Sequence, residues 1–81
     1  MTLYEFTRLD QRSQSEAIFG QGIYLETRLE ESYYVNLYAV DNFWVEVFYD
    51  SEGNDLNRWG PFRNPRRLNP YLKRIELPSF C

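Results

Sequence analysis

Three stretches near the middle of the chain alternate apolar and polar side chains with a period of two, which is typical of β-strands. They are Ile23–Leu29, Tyr33–Ala39 and Phe43–Asp50, and all three are rich in β-branched and aromatic residues. The connections between them, Glu30–Ser32 and Val40–Asn42, are short enough for antiparallel hairpins. The pattern therefore predicts a three-stranded antiparallel meander.

The segment before the first strand carries helix signals. Apolar side chains between Thr2 and Phe19 fall near one stripe at helical spacing, and Gly20 and Gly22 supply a stop signal. The stripe weakens in its middle. Because Ser13 is followed three residues later by a glutamate, a capping box could form there and the helix could begin as late as Ser13. We expect one helix in this segment, packed on the apolar face of the meander.

Two further elements are predicted after the meander. Leu56–Phe62 has the pattern of a fourth strand, but Pro61 would confine it to an edge of the sheet. Asn69 suits a helix N-cap and is followed by proline, which predicts one or two helical turns over Pro70–Ile75. The expected fold is α+β: an N-terminal helix packed on a three- to four-stranded antiparallel meander, and a short C-terminal helical turn, in one domain over residues 1–81.

The register of the meander decides which side chains share a face. If both hairpin loops have three residues, Leu37 lies opposite Leu25 and Val45, and one face of the sheet is consistently apolar. A two-residue turn at Asp41–Asn42 would instead set Leu37 against Glu46. Because a slip of one residue turns a whole strand over, we expect the three-residue loops.

In this register the second face of the meander is rich in aromatic side chains. An exposed patch of five rings would exceed the few hundred Å² that monomers usually show. Three alternatives could cover this aromatic patch: the chain's own C-terminal segment, the same face of a second copy, or a different ligand or protein. We call this surface the candidate interaction face; its members are Tyr24, Glu26, Arg28, Tyr34, Asn36, Tyr38, Trp44, Glu46 and Phe48.

Charge is unevenly distributed along the chain. The net charge of the 81 residues is −3, yet residues 1–57 carry eleven acids and three bases, and the remainder is basic. Arg63, Arg66 and Arg67 form a possible anion contact, with aromatic residues nearby. The alternative is that this basic segment pairs with the acidic body of the same protein. Because an acidic protein repels polyanions at long range, we do not expect nucleic-acid binding.

The composition excludes several chemistries. The chain has no histidine, so a Ser-His-Asp or Cys-His constellation cannot form, and its one cysteine, Cys81, cannot make an internal disulfide. No phosphate-binding loop or dinucleotide fingerprint is present. We expect no metal, no cofactor, no membrane span and a cytoplasmic location.

These observations favour a small acidic protein-interaction module over an enzyme. The leading hypothesis is a homodimer that forms through the candidate interaction face. A second hypothesis is an inhibitor or immunity-type protein that masks a basic partner. A third is a small hydrolase that uses Glu26 and Glu46 as paired carboxylates, since the predicted register sets them two strands apart.

Overall fold

The computed structural model describes residues 1–74, including all side chains up to Leu72, and confirms the α+β fold class. The sheet is an antiparallel meander in the order β1-β2-β3-β4. Between residues 1 and 74, no helix is long and apolar enough to cross a membrane. The elements are α1 (Leu3–Thr7), α2 (Gln11–Gln21), β1 (Ile23–Leu29), β2 (Tyr33–Val40), β3 (Phe43–Asp50), β4 (Asp55–Phe62), a 3₁₀ turn (Pro65–Leu68) and α3 (Asn69–Arg74).

The predicted strands are confirmed with small changes at their ends. β1 and β3 have the predicted bounds, β2 extends by one residue to Val40, and β4 starts one residue earlier, at Asp55. β4 lies at an edge of the sheet, as Pro61 required, because a proline cannot donate a ladder hydrogen bond. The predicted C-terminal helical turn is present as α3, and Ile75 and Cys81 lie outside the described residues.

The prediction of one continuous N-terminal helix is wrong, because the chain forms two short helices. Thr2 caps α1 through a capping box with Glu5, and Asp10 caps α2 by accepting a hydrogen bond from the Ser13 amide at 2.8 Å. Ser13 therefore lies inside α2 instead of starting it. The predicted stop is confirmed: α2 ends at Gln21, and Gly22 is its C-cap immediately before β1.

The predicted register between β2 and β3 is wrong. The strands are joined by the two-residue turn Asp41–Asn42, so Val40 faces Phe43 and Leu37 faces Glu46. Asp41 takes a positive φ of 50°, which aspartate tolerates better than most residues. This turn brings Val40 into the sheet, where its side chain is fully buried, whereas a three-residue loop would have left it in the turn.

The register between β1 and β2 also shifts within the strand. Ile23 faces Ala39 as predicted, but a β-bulge at Leu25 moves the later pairs by one residue, so that Glu26 faces Leu37. At the far end the Glu30 amide donates to the Tyr33 carbonyl and closes a tight turn. The combined effect of the bulge and the two-residue turn is that β2 is turned over relative to the prediction, while β3 keeps its predicted faces.

Two cores lie on opposite sides of the sheet. On one side, which we call the helix face, α1 and α2 cover the inner side chains of β2 and β3. On the other side, which we call the C-terminal face, the 3₁₀ turn and α3 cover a smaller cluster. The buried residues of the helix-face core are Phe6, Ala17, Ile18, Val40, Phe43, Val45 and Val47. Those of the C-terminal face are Leu37, Phe62 and Tyr71, with Trp44 and Leu68 partly buried beside them.

Candidate functional site

The structure divides the candidate interaction face between the two sides of the sheet. Because β2 is turned over, its members join the helix face, together with the β1 residue before the bulge. The members after the bulge and those on β3 remain together on the C-terminal face. The first group is Tyr24, Tyr34, Asn36 and Tyr38; the second is Glu26, Arg28, Trp44, Glu46 and Phe48.

The members on the helix face are held by contacts within the chain. The Tyr38 ring meets Phe19 edge-on at 5.5 Å and Tyr24 at 5.9 Å, and burial raises the pKa of its phenol. Tyr34 stacks on Tyr49 at 5.1 Å. The predicted aromatic patch is therefore divided between the two faces, and on the helix face Tyr38 packs against α2, whereas Tyr34 stacks on a neighbouring strand.

Glu46 is the centre of a charged cluster on the C-terminal face. Its side chain is only 5% exposed, yet three donors reach it: the Tyr71 hydroxyl at 2.7 Å, Arg28 at 3.2 Å and Arg67 at 3.3 Å. Arg28 also pairs with Glu30. Arg28 and Glu46 thus form a diagonal ion pair across the sheet.

The cluster ties the C-terminal segment to the sheet. Tyr71 lies on α3 and Arg67 on the 3₁₀ turn, whereas Arg28 comes from β1 and Glu46 from β3. Burial, together with the hydrogen bond to Glu46, raises the pKa of the Tyr71 hydroxyl well above its usual range. The Arg28 guanidinium lies over the Tyr71 ring at 5.6 Å, which adds a cation–π contact.

Glu26 and Glu46 occupy one cross-strand row despite the change of register. Glu26 faces Leu37, and Leu37 faces Glu46, because the bulge and the two-residue turn shift the pairing in compensating directions. Their surroundings differ: Glu46 is held between two arginines and a tyrosine, whereas no side chain of residues 1–72 bonds to Glu26. Both carboxylate oxygens of Glu46 already accept hydrogen bonds from donors in the chain, so the geometry gives the hydrolase hypothesis little support.

The three arginines of the possible anion contact have different environments. Arg67 pairs with Glu46 and lies over the Phe62 ring at 4.6 Å, so it already has an anionic partner in the chain. Arg63 and Arg66 are exposed. The expected pairing of the basic segment with the acidic body is therefore realised at Arg67.

Exposed apolar side chains concentrate on the edge strand β1. Ile23 is 65% exposed, Leu29 68% and Leu25 45%, and Tyr24 is also exposed. They are four of the seven residues of one strand, and β1 forms an outer edge of the sheet. The alternation pattern predicted an interaction on the face of the sheet and not at this edge. The edge position of β1 could have been predicted, because the first strand of a meander lies at an edge of the sheet.

Two grooves lie on the C-terminal face. One, of about 300 Å³, is enclosed between β1 and α3, and Glu26 and Trp44 are in its wall. The other, of about 390 Å³, lies at the opposite end of the sheet and contains Tyr33, Phe48 and Arg58. In the second groove Arg58 lies over the Phe48 ring at 5.4 Å.

Among residues 1–74, no three acidic, histidine or cysteine side chains come together in a way that could hold a metal ion. The polar loop after β3 carries several side-chain oxygen atoms of the kind that bind metal ions. Asp50 organises this loop, because its carboxylate accepts hydrogen bonds from the Glu52 and Asn54 amides. No protein-family model matches the chain, and neither the curated proteins nor the solved structures include a significant match.

Proposed function

We propose that the protein is a small interaction module that associates with a second copy of itself through the β1 edge. The observation that carries the proposal is the concentration of exposed apolar side chains on β1. An edge strand presents unpaired backbone groups that can bind another strand, and proteins normally protect such edges. The sequence-based hypotheses of a cytoplasmic location and of an inhibitor that masks a basic partner stay predictions.

The two edges of the sheet differ in how they are protected. β4 contains Pro61, the charged Arg58 and an irregularity at Asn57, whose φ is 53°. Each of these features discourages strand pairing. β1 also has protective features, a bulge at Leu25 and the charged Glu26 and Arg28, but it contains no proline and continues as a regular strand from Glu26 to Leu29. The lack of proline in β1, together with its exposed apolar side chains, supports pairing at this edge over pairing at β4.

A second copy suits this edge for reasons of symmetry. Most homo-oligomers are two-fold symmetric, and in such a dimer the same patch meets itself. Two antiparallel β1 strands would join the two sheets into one of eight strands and would cover Ile23, Leu25 and Leu29 of both copies. This arrangement keeps the self-association inferred from the sequence but moves it from the face of the sheet to its edge.

The test is the molar mass in solution, measured by light scattering over the micromolar range. We expect a dimer for the wild type, and at least about tenfold weaker association, or 1.4 kcal/mol, for Leu29→Lys and Ile23→Lys, because a buried lysine opposes pairing. Tyr4→Lys on α1 is the matched control, since Tyr4 is similarly exposed but lies far from β1 in the chain. A monomeric wild type, or a dimer unaffected by both β1 substitutions, would overturn the proposal.

A further inference from the structure

The groove between β1 and α3 has a composition that differs from the rest of the surface. Its volume of about 300 Å³ is at the lower end for ligand sites, and suits one long side chain. Its walls are apolar or aromatic except at one carboxylate. The residues that line it are Leu25, Glu26, Leu37, Trp44, Leu68, Tyr71 and Leu72.

Glu26 is the charged group of this groove, and it lacks an ionic partner among residues 1–72. The side chain is partly buried, and no arginine or hydrogen-bond donor in that part of the chain reaches it. Glu46 lies two strands away on the same row and differs in its contacts, because three hydrogen-bond donors surround its carboxylate. A carboxylate that has no cationic partner within residues 1–72 and lies beside apolar walls favours a cationic ligand.

The aromatic walls point to the same ligand chemistry. Trp44 stacks on Phe62 with ring centres 5.5 Å apart, so the plane of its indole is fixed. Tyr71 is 3% exposed and anchored by its hydroxyl to Glu46. The Tyr71 ring already contacts the Arg28 guanidinium, so Trp44 is the ring of this groove that can contact an ammonium group through a cation–π interaction beside the carboxylate. The leucine side chains along the groove would pack against the methylene groups of a lysine side chain.

We propose that this groove binds a lysine side chain of a partner polypeptide, with the ammonium group at Glu26 and the four methylenes against Leu25, Leu37 and Leu72. Charge complementarity with the Glu26 carboxylate selects a cationic side chain over a neutral one for this groove. The site goes beyond self-association and does not require it: Leu25 is common to both surfaces, but the Glu26 carboxylate lies on the C-terminal face, whereas β1 pairing uses the outer edge of the strand.

The probe is the tripeptide Val-Lys-Val-amide with fluorescein on its N-terminal amine, so that the lysine side chain stays free, and the readout is fluorescence anisotropy at low salt. We expect saturable binding that Glu26→Gln weakens at least about tenfold, because the charge is lost while the shape is kept. Glu31→Gln is the matched control: it removes an exposed carboxylate just beyond β1 and should leave the affinity within about twofold. The same peptide with acetyl-lysine should not bind, because its charge is removed.

Three results would overturn the proposal: no binding of the lysine peptide at millimolar concentration, equal binding of the acetyl-lysine peptide, or an affinity unchanged by Glu26→Gln. Circular dichroism would verify that the variant is folded, which we expect because Glu26 bonds to no side chain of residues 1–72. Light scattering separates this proposal from self-association: Glu26→Gln should keep the dimer, and Leu29→Lys should keep peptide binding.

Discussion

At the scale of single residues, Glu46 is buried, and its carboxylate is both ion-paired and hydrogen-bonded. Removing a carboxylate from water costs several kcal/mol unless charged or hydrogen-bonded partners compensate it. Here Arg28, Arg67 and Tyr71 provide that compensation from three different elements. The cluster consequently fixes where the C-terminal segment sits on the sheet, since two of the donors belong to that segment.

Tyr71 gives this cluster a measurable pH dependence. Burial and the bond to Glu46 raise its pKa, so the folded protein keeps the phenol proton at a pH at which the unfolded chain loses it. The stability that Tyr71 contributes is therefore present below the ordinary tyrosine pKa of about 10 and is lost as the pH rises above it. We expect Tyr71→Phe to cost about 1.5–3 kcal/mol at pH 8, typical of a hydrogen bond to a charged group.

Urea denaturation from pH 8 to pH 11 would measure this effect. The difference in unfolding free energy between the wild type and Tyr71→Phe should shrink as the pH rises. A residual slope should persist in the variant, because burial also raises the pKa of Tyr38 and Tyr49. Parallel pH profiles for the two proteins would show that Tyr71 does not retain its proton in the folded state.

At the scale of elements, the junction of α2 and β1 depends on a glycine. A Cβ atom at Gly22 would lie 2.4 Å from the Ile18 carbonyl oxygen and 3.3 Å from Val40 Cγ2. We expect Gly22→Ala to destabilise the protein by about 1–3 kcal/mol, since the added methyl group overpacks this junction. Thermal and urea unfolding would measure the change.

Gly20 supplies the matched control, because a Cβ there would meet no atom within 4 Å. Gly20 lies inside α2, where alanine is favoured over glycine by about 0.5–1 kcal/mol. The two substitutions are chemically identical and two residues apart, yet they should have opposite signs. Equal effects would contradict the packing described for Gly22.

The elements were largely predictable from sequence, whereas their register was not. Alternation and turn residues located β1 and β3 to the residue. The break at Asp10 was missed because the weak middle of the apolar stripe was explained by a late start of one helix and not by two helices. β2 carries apolar or aromatic side chains on both faces, and only Asn36 is strongly polar. Either face of such a strand can pack against the core, so the hydrophobic pattern does not determine its register.

The candidate site was predictable only in part for the same reason. Glu26 and Glu46 were correctly placed in one row because the bulge at Leu25 and the turn at Asp41–Asn42 compensate each other. The tyrosines of β2 were assigned to the wrong face because neither irregularity has a clear sequence signal. A bulge depends on tertiary packing, and local propensity does not encode it.

At the scale of the whole molecule, the chain covers part of its own C-terminal face. Of the three covers considered from the sequence, the C-terminal segment is present: Leu68 and Tyr71 pack against Leu37, Trp44 and Phe62. Within residues 1–72 the cover ends at the groove beside β1, and the apolar edge of that strand lies beyond it. Self-coverage and an open interaction surface therefore coexist on neighbouring parts of the sheet.

The cover can be tested with Trp44 as the reporter. In a Trp59→Phe background Trp44 is the one remaining tryptophan, and we expect Leu68→Ser to shift its emission to the red, because water gains access to the ring. The free energy of unfolding should fall by about 1–3 kcal/mol, less than for a fully buried leucine. Leu56→Ser, an exposed leucine on β4, is the control; an identical emission shift in both variants would contradict a specific cover.

Gln14 joins parts of the molecule that are far apart along the chain. Its side chain donates to the Phe6 carbonyl oxygen at 2.9 Å and accepts from the Trp59 indole nitrogen at 2.9 Å, across 45 residues. The hairpins of the sheet close loops of only a few residues, which costs less entropy than closing a loop of that length. We therefore expect the bond between Gln14 and Trp59 to form after the hairpins of the meander, because it closes a much longer loop of the chain.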